Sequence, residues 1–179
     1  WQTYFPESRD EGLTWSDPKE LVPGDTSGGR GPVKNKCLRL KSGRLLAPAS
    51  RERGPWRAFV DISDDDGVTW RAAPEMKVPD LKLKTGKPFG VIQPTLWQSD
   101  DGSVHAFLRS NAGRIYRSDS TDDGETWSEV RDTGLPNNNS GIDRTKDGKG
   151  RIWLLYNPGA ENWGVRHPLS LAGSAGNGR

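Results

Sequence analysis

Side chains with chemical capability gather where short strands end. Arg109 follows the apolar run Ala106-Phe107-Leu108 and leads into the small loop Asn111-Ala112-Gly113, while Arg114 opens the next strand. A guanidinium is a planar fork of donors that matches a carboxylate in bidentate fashion, so both are candidate binding residues. Gln93 and the run Asn139-Ser140-Gly141-Ile142-Asp143 are polar where inner strands are expected. Such residues suit a cleft or a capped turn, and Asp143 is a candidate acid or base. Tyr156 closes the strand Trp153-Leu154-Leu155, where core packing competes with a role in a site. His105 alternates within a strand, where burial competes with proton transfer. Arg51 and Glu52, at the equivalent end of an earlier strand, read as surface loop.

The elements that must position these residues come from a repeat. Ser8-Arg9-Asp10-Glu11-Gly12-Leu13-Thr14-Trp15 recurs as Ser63–Trp70 and Ser120–Trp127, always as Ser-x-Asp-x-Gly-x-Thr-Trp. The copies begin 55 and 57 residues apart, which marks an array of similar units. Within the first full unit, strands are expected at Val33 to Leu40, Arg44 to Ser50, Trp56 to Ile62 and Arg71 to Val78. The second is expected to use Val91 to Gln98, Val104 to Arg109, Arg114 to Ser118 and Ser128 to Thr133. The third begins at Asn139 and continues through Arg151 to Tyr156 and Pro168 to Ala172. Its Ser174 to Gly178 keeps the serine and the glycine turn of the motif but lacks the aspartate. Lys41-Ser42-Gly43, Asp100-Asp101-Gly102 and Asp147-Gly148-Lys149-Gly150 are turn signals between first and second strands.

Four short strands per repeated unit predict an all-β fold, a β-propeller of four-stranded blades. Residues 1–31 are expected to end one blade, with further blades at 32–80, 90–136 and 138–179. The usual ring has about four to eight blades. The sequence therefore reads as about three blades of a larger propeller, incomplete at both ends.

Composition excludes several classes. The net charge of +2 calls for no nucleic acid. No apolar run approaches the ~20 residues of a membrane-spanning helix. Cys37 is the only cysteine, and His105 and His167 lie far apart, so neither a metal nor another cofactor is expected. In the repeated octapeptide each residue has a local structural role. The aspartate and glycine make a turn, the hydroxyls satisfy it, and the tryptophan packs beneath it. A calcium loop fails on spacing. With glycine at loop position six, positions one and twelve of the second copy would be Ile62 and Ala73, and position twelve of the third would be Val130.

Ser-x-Asp-x-Gly-x-Thr-Trp is the Asp box of the bacterial neuraminidase repeat, and on it the chain resembles the sialidase superfamily over nearly its whole length. Ile92-Gln93-Pro94-Thr95-Leu96-Trp97, Gly113-Arg114-Ile115-Tyr116-Arg117-Ser118, Pro136 to Asp143 and Leu155-Tyr156-Asn157-Pro158 resemble its neuraminidase-like branch. The resemblance implies a six-bladed propeller, Asp boxes at the rim between third and fourth strands, and a site near the axis. It also implies an exo-α-sialidase-like glycoside hydrolase acting on a carboxylate-bearing glycan, secreted or periplasmic. Arginines would bind the carboxylate, a tyrosine paired with a glutamate would attack, and an aspartate would serve as acid and base. Carried onto this chain, Arg109, Arg114, Gln93, Asn139 and Ser140 are the binding candidates, and Tyr156, Asp143 and His105 the catalytic ones. The family's Arg-Ile-Pro start motif is absent, and no position takes the Tyr–Glu pair. Trp56, Trp97, Trp153 and Trp163 suit either sugar stacking or blade cores. Two other readings stay open: a lyase on uronate-containing polysaccharide with His105 or Tyr156 as base, and a noncatalytic glycan-binding propeller.

Overall fold

A computed structural model of the chain describes residues 2–174, and their regular structure is all strand. β1 (Tyr4–Phe5) pairs with β2 (Lys19–Glu20). β3 (Leu38–Arg39), β4 (Leu45–Arg51), β5 (Arg57–Ser63) and β6 (Arg71–Ala72) then form an antiparallel meander. So do β7 (Val91–Gln98), β8 (Val104–Ser110), β9 (Arg114–Ser120) and β10 (Arg131–Pro136). β11 (Asp143–Lys146), β12 (Ile152–Tyr156) and β13 (Ser170–Ser174) make a three-stranded sheet. The three sheets are the blades expected from the repeats.

Each blade turns from first to second strand through a glycine at positive φ: Gly43, Gly102 and Gly150 (93°, 91° and 79°). Their N–H groups close tight turns on the carbonyls of Leu40, Ser99 and Asp147. The blades pack face to face. Val104, Ala106 and Leu108 on one face of β8 meet Ala58, Val60 and Ile62 of the preceding blade. Phe107, on the opposite face, joins Trp97, Ile115, Ile142, Ile152, Leu154 and Tyr156 toward the following blade. Burial on both faces is why β8 reads as a nearly continuous apolar run.

The Asp boxes are closed hydrogen-bonded units between third and fourth strands. In the second copy Ser63 Oγ accepts from Gly67 N–H (2.8 Å), and Asp65 accepts from Thr69 N–H (2.9 Å) and Thr69 Oγ1 (2.5 Å). Trp70 Nε1 donates to Gly67 O (3.0 Å). The first and third copies repeat this pattern. Arg44 joins two blades at the rim, pairing with Asp64 (2.6 Å) and Glu125 (2.8 Å).

Several strands differ from the sequence expectation. The strand expected from Val33 shrinks to β3, because Lys34 takes φ 71° and Asn35 N–H turns back to Val33 O. The segment expected from Arg71 to Val78 is a strand only at β6. Pro74 lacks an N–H, so the ladder continues as separate bonds from Ala73 to Val60 and Met76 to Ala58. The outer strand expected at Ser128 starts at Arg131, since Val130 N–H donates instead to Lys77 O of the preceding blade. The third blade's first strand begins at Asp143 rather than Asn139, where φ is 60°. The partial motif at Ser174 to Gly178 lies beyond the described residues after Ser174.

Candidate functional site

The innermost segments of the three blades share a backbone feature. Lys34, Gln93 and Asn139, one per blade, all have left-handed φ, at 71°, 53° and 60°. Such conformations cost about 1–3 kcal/mol in a residue other than glycine and concentrate at functional sites. At Gln93 the chain bulges, so the register of β7 on β8 shifts between Ile92 and Thr95. Asn35 ties two blades together there, its Nδ2 donating to Gln93 O and Pro94 O (2.9 Å each).

Arg109 stands at the centre of this region. It lies near the end of β8, opposite Ile92, and its Nε donates to Asn139 Oδ1 (2.7 Å) and its Nη1 to Gln93 Oε1 (3.1 Å). Gln93 Nε2 in turn donates to Glu52 Oε1 (3.0 Å), which also accepts from Ser50 Oγ (3.1 Å). Asn139 Nδ2 donates to Asn162 Oδ1 (2.9 Å). The guanidinium also lies over two rings, 5.6 Å from Trp56 and 5.7 Å from Trp163. Among the described residues no carboxylate ion-pairs with it. Burial lowers its pKa below the ordinary arginine value; Glu52 opposes that shift and Arg166 adds to it.

Two hollows flank the cluster. One of about 270 Å³ is lined by Pro55, Trp56, Asn111, Asn139, Asn162 and Trp163. Another of about 670 Å³ lies beside Glu52 between Arg51, Arg53, Thr26 and Ser27.

Buried amides hold the segment that carries Trp163 and Arg166. Asn138 Nδ2 donates to Gly164 O (3.1 Å) and Asn138 O accepts Trp163 N–H (3.1 Å). Asn157 Nδ2 donates to Arg166 O (2.7 Å) and Pro168 O (3.1 Å), and its Oδ1 accepts from Ser140 Oγ (2.7 Å). Gly113 lets the segment approach, because a Cβ there would lie 2.5 Å from Ala160 O.

Of the residues singled out in the sequence, the fold brings Arg109, Gln93 and Asn139 into direct contact. Ser140, next to Asn139 in the chain, instead donates to Asn157 Oδ1 (2.7 Å), the amide that holds the Arg166 carbonyl. Asp143 lies further along the third blade's innermost strand, bonded to Lys36 Nζ (2.8 Å) and Thr95 Oγ1 (3.3 Å). Its desolvation is outweighed by Lys36 and the Arg144 N–H, so its pKa falls below the usual carboxylate value. Arg114 is exposed on the third strand and donates to Gly134 O (2.9 Å), away from the cluster. His105 shares a face with Arg109 but four residues back, about 13 Å at strand rise. There it bonds Ser99 and Asp119 and is buried. Tyr156 packs in the core between the second and third blades.

Sequence reasoning missed Lys34, Asn35, Asn162 and Arg166, and placed Glu52 in a surface loop. The alignment of repeats carried a signal for Lys34, which stands where Gln93 stands in the following unit. Trp56 and Trp163 flank Arg109, whereas Trp97 is core and Trp153 donates to Asp147 at a hairpin. Among the described residues no three His, Cys, Asp or Glu side chains are grouped to hold a metal, and no helix is long and apolar enough to cross a membrane.

The sequence matches the BNR repeat-like domain family over residues 1–179. Among solved structures it is similar to the NanB sialidase from Streptococcus pneumoniae in complex with 2-[(3-chlorobenzyl)ammonio]ethanesulfonate, with TM-score 0.71 and 25% identity over 95% of this chain and 25% of that one. It is similar to the intramolecular trans-sialidase from Ruminococcus gnavus in complex with oseltamivir carboxylate, with TM-score 0.64 and 25% identity over 87% of this chain and 33% of that one. A Dyadobacter fermentans protein of unknown function matches with TM-score 0.69 and 19% identity over 95% of this chain and 46% of that one. The chain thus spans less than half the length of the structures it matches.

Proposed function

Because this chain belongs to the BNR repeat-like domain family of the sialidase superfamily, we propose that it carries the carboxylate-recognition centre of a sialidase-like glycoside hydrolase acting on acidic glycans. The observation that carries this reading is the state of Arg109. Its partly buried guanidinium is held by two neutral amides and two indole rings and has no carboxylate partner among the described residues. A desolvated charge left without a counter-ion is costly, and an anionic ligand offsets that cost. The ligands named for two similar structures are a sulfonate and a carboxylate, which agrees with an anion site in this fold.

In this proposal Arg109 grips the sugar carboxylate, Gln93 and Asn139 set the plane of the guanidinium, and Asn162 and Ser140 brace Asn139 and the neighbouring segment. Asp143 is kept ionised beside Lys36, and a pKa held below the usual carboxylate value makes it a weak proton acceptor. A second reading, binding without turnover, is favoured by one feature: the group against Arg109 is the amide of Gln93, where a glutamate would supply a base.

Turnover of a fluorogenic α-sialoside tests the proposal. Arg109→Ala is expected to lower kcat/KM by about a hundredfold, the scale of a lost charge-assisted contact. Unchanged turnover would remove Arg109 from the site. Binding of the sialoside without product supports the second reading, and an unsaturated product absorbing in the ultraviolet, released from a uronate-containing polysaccharide, points to a lyase instead.

A further inference from the structure

We propose that Lys34 is the second cation of this site, adding its positive charge to the anion held by Arg109. The inference rests on the reading of Arg109 as a carboxylate-binding residue and extends it to a residue on a different blade.

Three independent features support it. The first is position. Lys34 and Gln93 occupy the same left-handed place, each six residues before the turn carbonyl of its segment (Leu40 and Ser99), and Asn139 is the left-handed residue of the third innermost segment. Two of the three already touch Arg109, and Lys34 is the third, exposed to solvent.

The second is the partnering of the ammonium. Nζ donates to Asn35 Oδ1 (3.1 Å) and Ile142 O (2.8 Å), both uncharged. The neighbouring acid, Asp143, forms its ion pair with Lys36 instead. Among the described residues Lys34 therefore has no carboxylate to neutralise it. Asn35 itself is locked to Gln93 O and Pro94 O, so the ammonium is tethered to the same bulge that holds Arg109. A cation restrained by neutral acceptors keeps its charge for a ligand at little further ordering cost.

The third is Gly141. A Cβ at this position would run into Lys34 Cε and lie 3.1 Å from Nζ. The missing side chain is what lets Lys34 lie across the third blade to reach Ile142 O. Desolvation of this ammonium, with Arg109 and Lys36 adding repulsion and Asp143 opposing it, lowers its pKa below the ordinary lysine value. Through Asn35 and Gln93 the ammonium and the guanidinium are fastened to one bulge, and an anion bridging them relieves both.

Calorimetric titration of the purified protein with two probes, the methyl glycosides of N-acetylneuraminic acid and of glucuronic acid, tests the inference. Lys34→Met keeps the length of the side chain and removes its charge. It is expected to weaken binding of the better probe about tenfold and to reduce the salt dependence of binding. Gly141→Ala keeps the charge but displaces the flexible end of Lys34, and should weaken binding too. Combined with Lys34→Met, Gly141→Ala should have no added effect, a non-additivity that a merely structural role would not produce. Should Lys34→Met fail to fold, Gly141→Ala decides alone. Binding lost in Arg109→Ala but unchanged in both Lys34→Met and Gly141→Ala overturns the role of Lys34 and leaves the reading of Arg109 standing. Absence of binding to either probe by the unaltered protein overturns both.

Discussion

Arg109 Nη1 donates to Gln93 Oε1 at 3.1 Å, and the opposite end of the same amide donates to Glu52 Oε1 at 3.0 Å. The amide therefore stands between the guanidinium and the carboxylate. Glu52 orients Gln93 without forming an ion pair with Arg109, and the guanidinium keeps its charge for a ligand.

Gln93→Glu converts that spacer into an acid. Ionised, it would neutralise Arg109 and face Glu52 at hydrogen-bond distance, where two carboxylates do not both ionise readily. The expected outcome is a loss of about tenfold in affinity for the methyl sialoside at pH 7, with recovery as the pH falls and the new carboxyl is protonated. Titration calorimetry across pH 4.5 to 8 would read it, and affinity equal to that of the unaltered protein at every pH would contradict the spacer role.

The Asp boxes are structural, and Ser120 tests this where one is buried. Its Oγ accepts Gly124 N–H (2.9 Å) and donates to Asp122 Oδ1 (2.7 Å). Ser120→Ala leaves both groups without that partner and should cost about 1–2 kcal/mol of stability in urea unfolding. Glycan affinity should not change, because the box lies beyond the opposite end of β8 from Arg109.

Acid should destabilise the protein over a definable range. Hydrogen bonds from Thr14 and Thr69 lead in holding Asp10 and Asp65 at about 2, below the usual 3.8. Asp119 is also held low, its desolvation outweighed by bonds from His105, Arg117 and Arg131. Folded-state values below unfolded ones mean stabilisation that is present above about pH 4 and lost as the pH falls toward 2. Urea midpoints measured from pH 6 down to pH 2 should stay level and then drop below pH 4. A flat profile to pH 2 would contradict these hydrogen bonds.

Asn157→Ala releases the carbonyls of Arg166 and Pro168 that its Nδ2 binds at 2.7 and 3.1 Å. Hydrogen exchange at residues 161–168 should quicken while the strands β7 to β9 stay protected. Affinity for the sialoside should fall severalfold, since Trp163 and Arg166 lose their fixed positions beside Arg109.

Much of the fold was legible because its signals are short-range. Val91–Gln98 emerges as β7 with the expected ends, and each expected Gly-containing hairpin turn closes as a turn. Strand expectations failed where a local pattern competed with a distant partner. Residues 33 to 37 read as strand, but the tie of Asn35 to β7 and the left-handed Lys34 bend them out of it. His105 and Tyr156 carry chemically capable groups, yet one is tied into an ion network at the far end of β8 and the other is packed between blades.

The division follows sequence separation. An Asp box closes on itself through bonds spanning four residues, such as Thr69 N–H to Asp65. Eight letters therefore suffice to specify it, and three copies to specify the blade and the family. Arg109 meets Gln93 across 16 residues and Asn139 across 30, while Glu52 reaches Gln93 across 41. No local pattern encodes such meetings. They exist because blades stacked on apolar faces bring their innermost segments together, and that stacking decided which of many polar residues stand around Arg109.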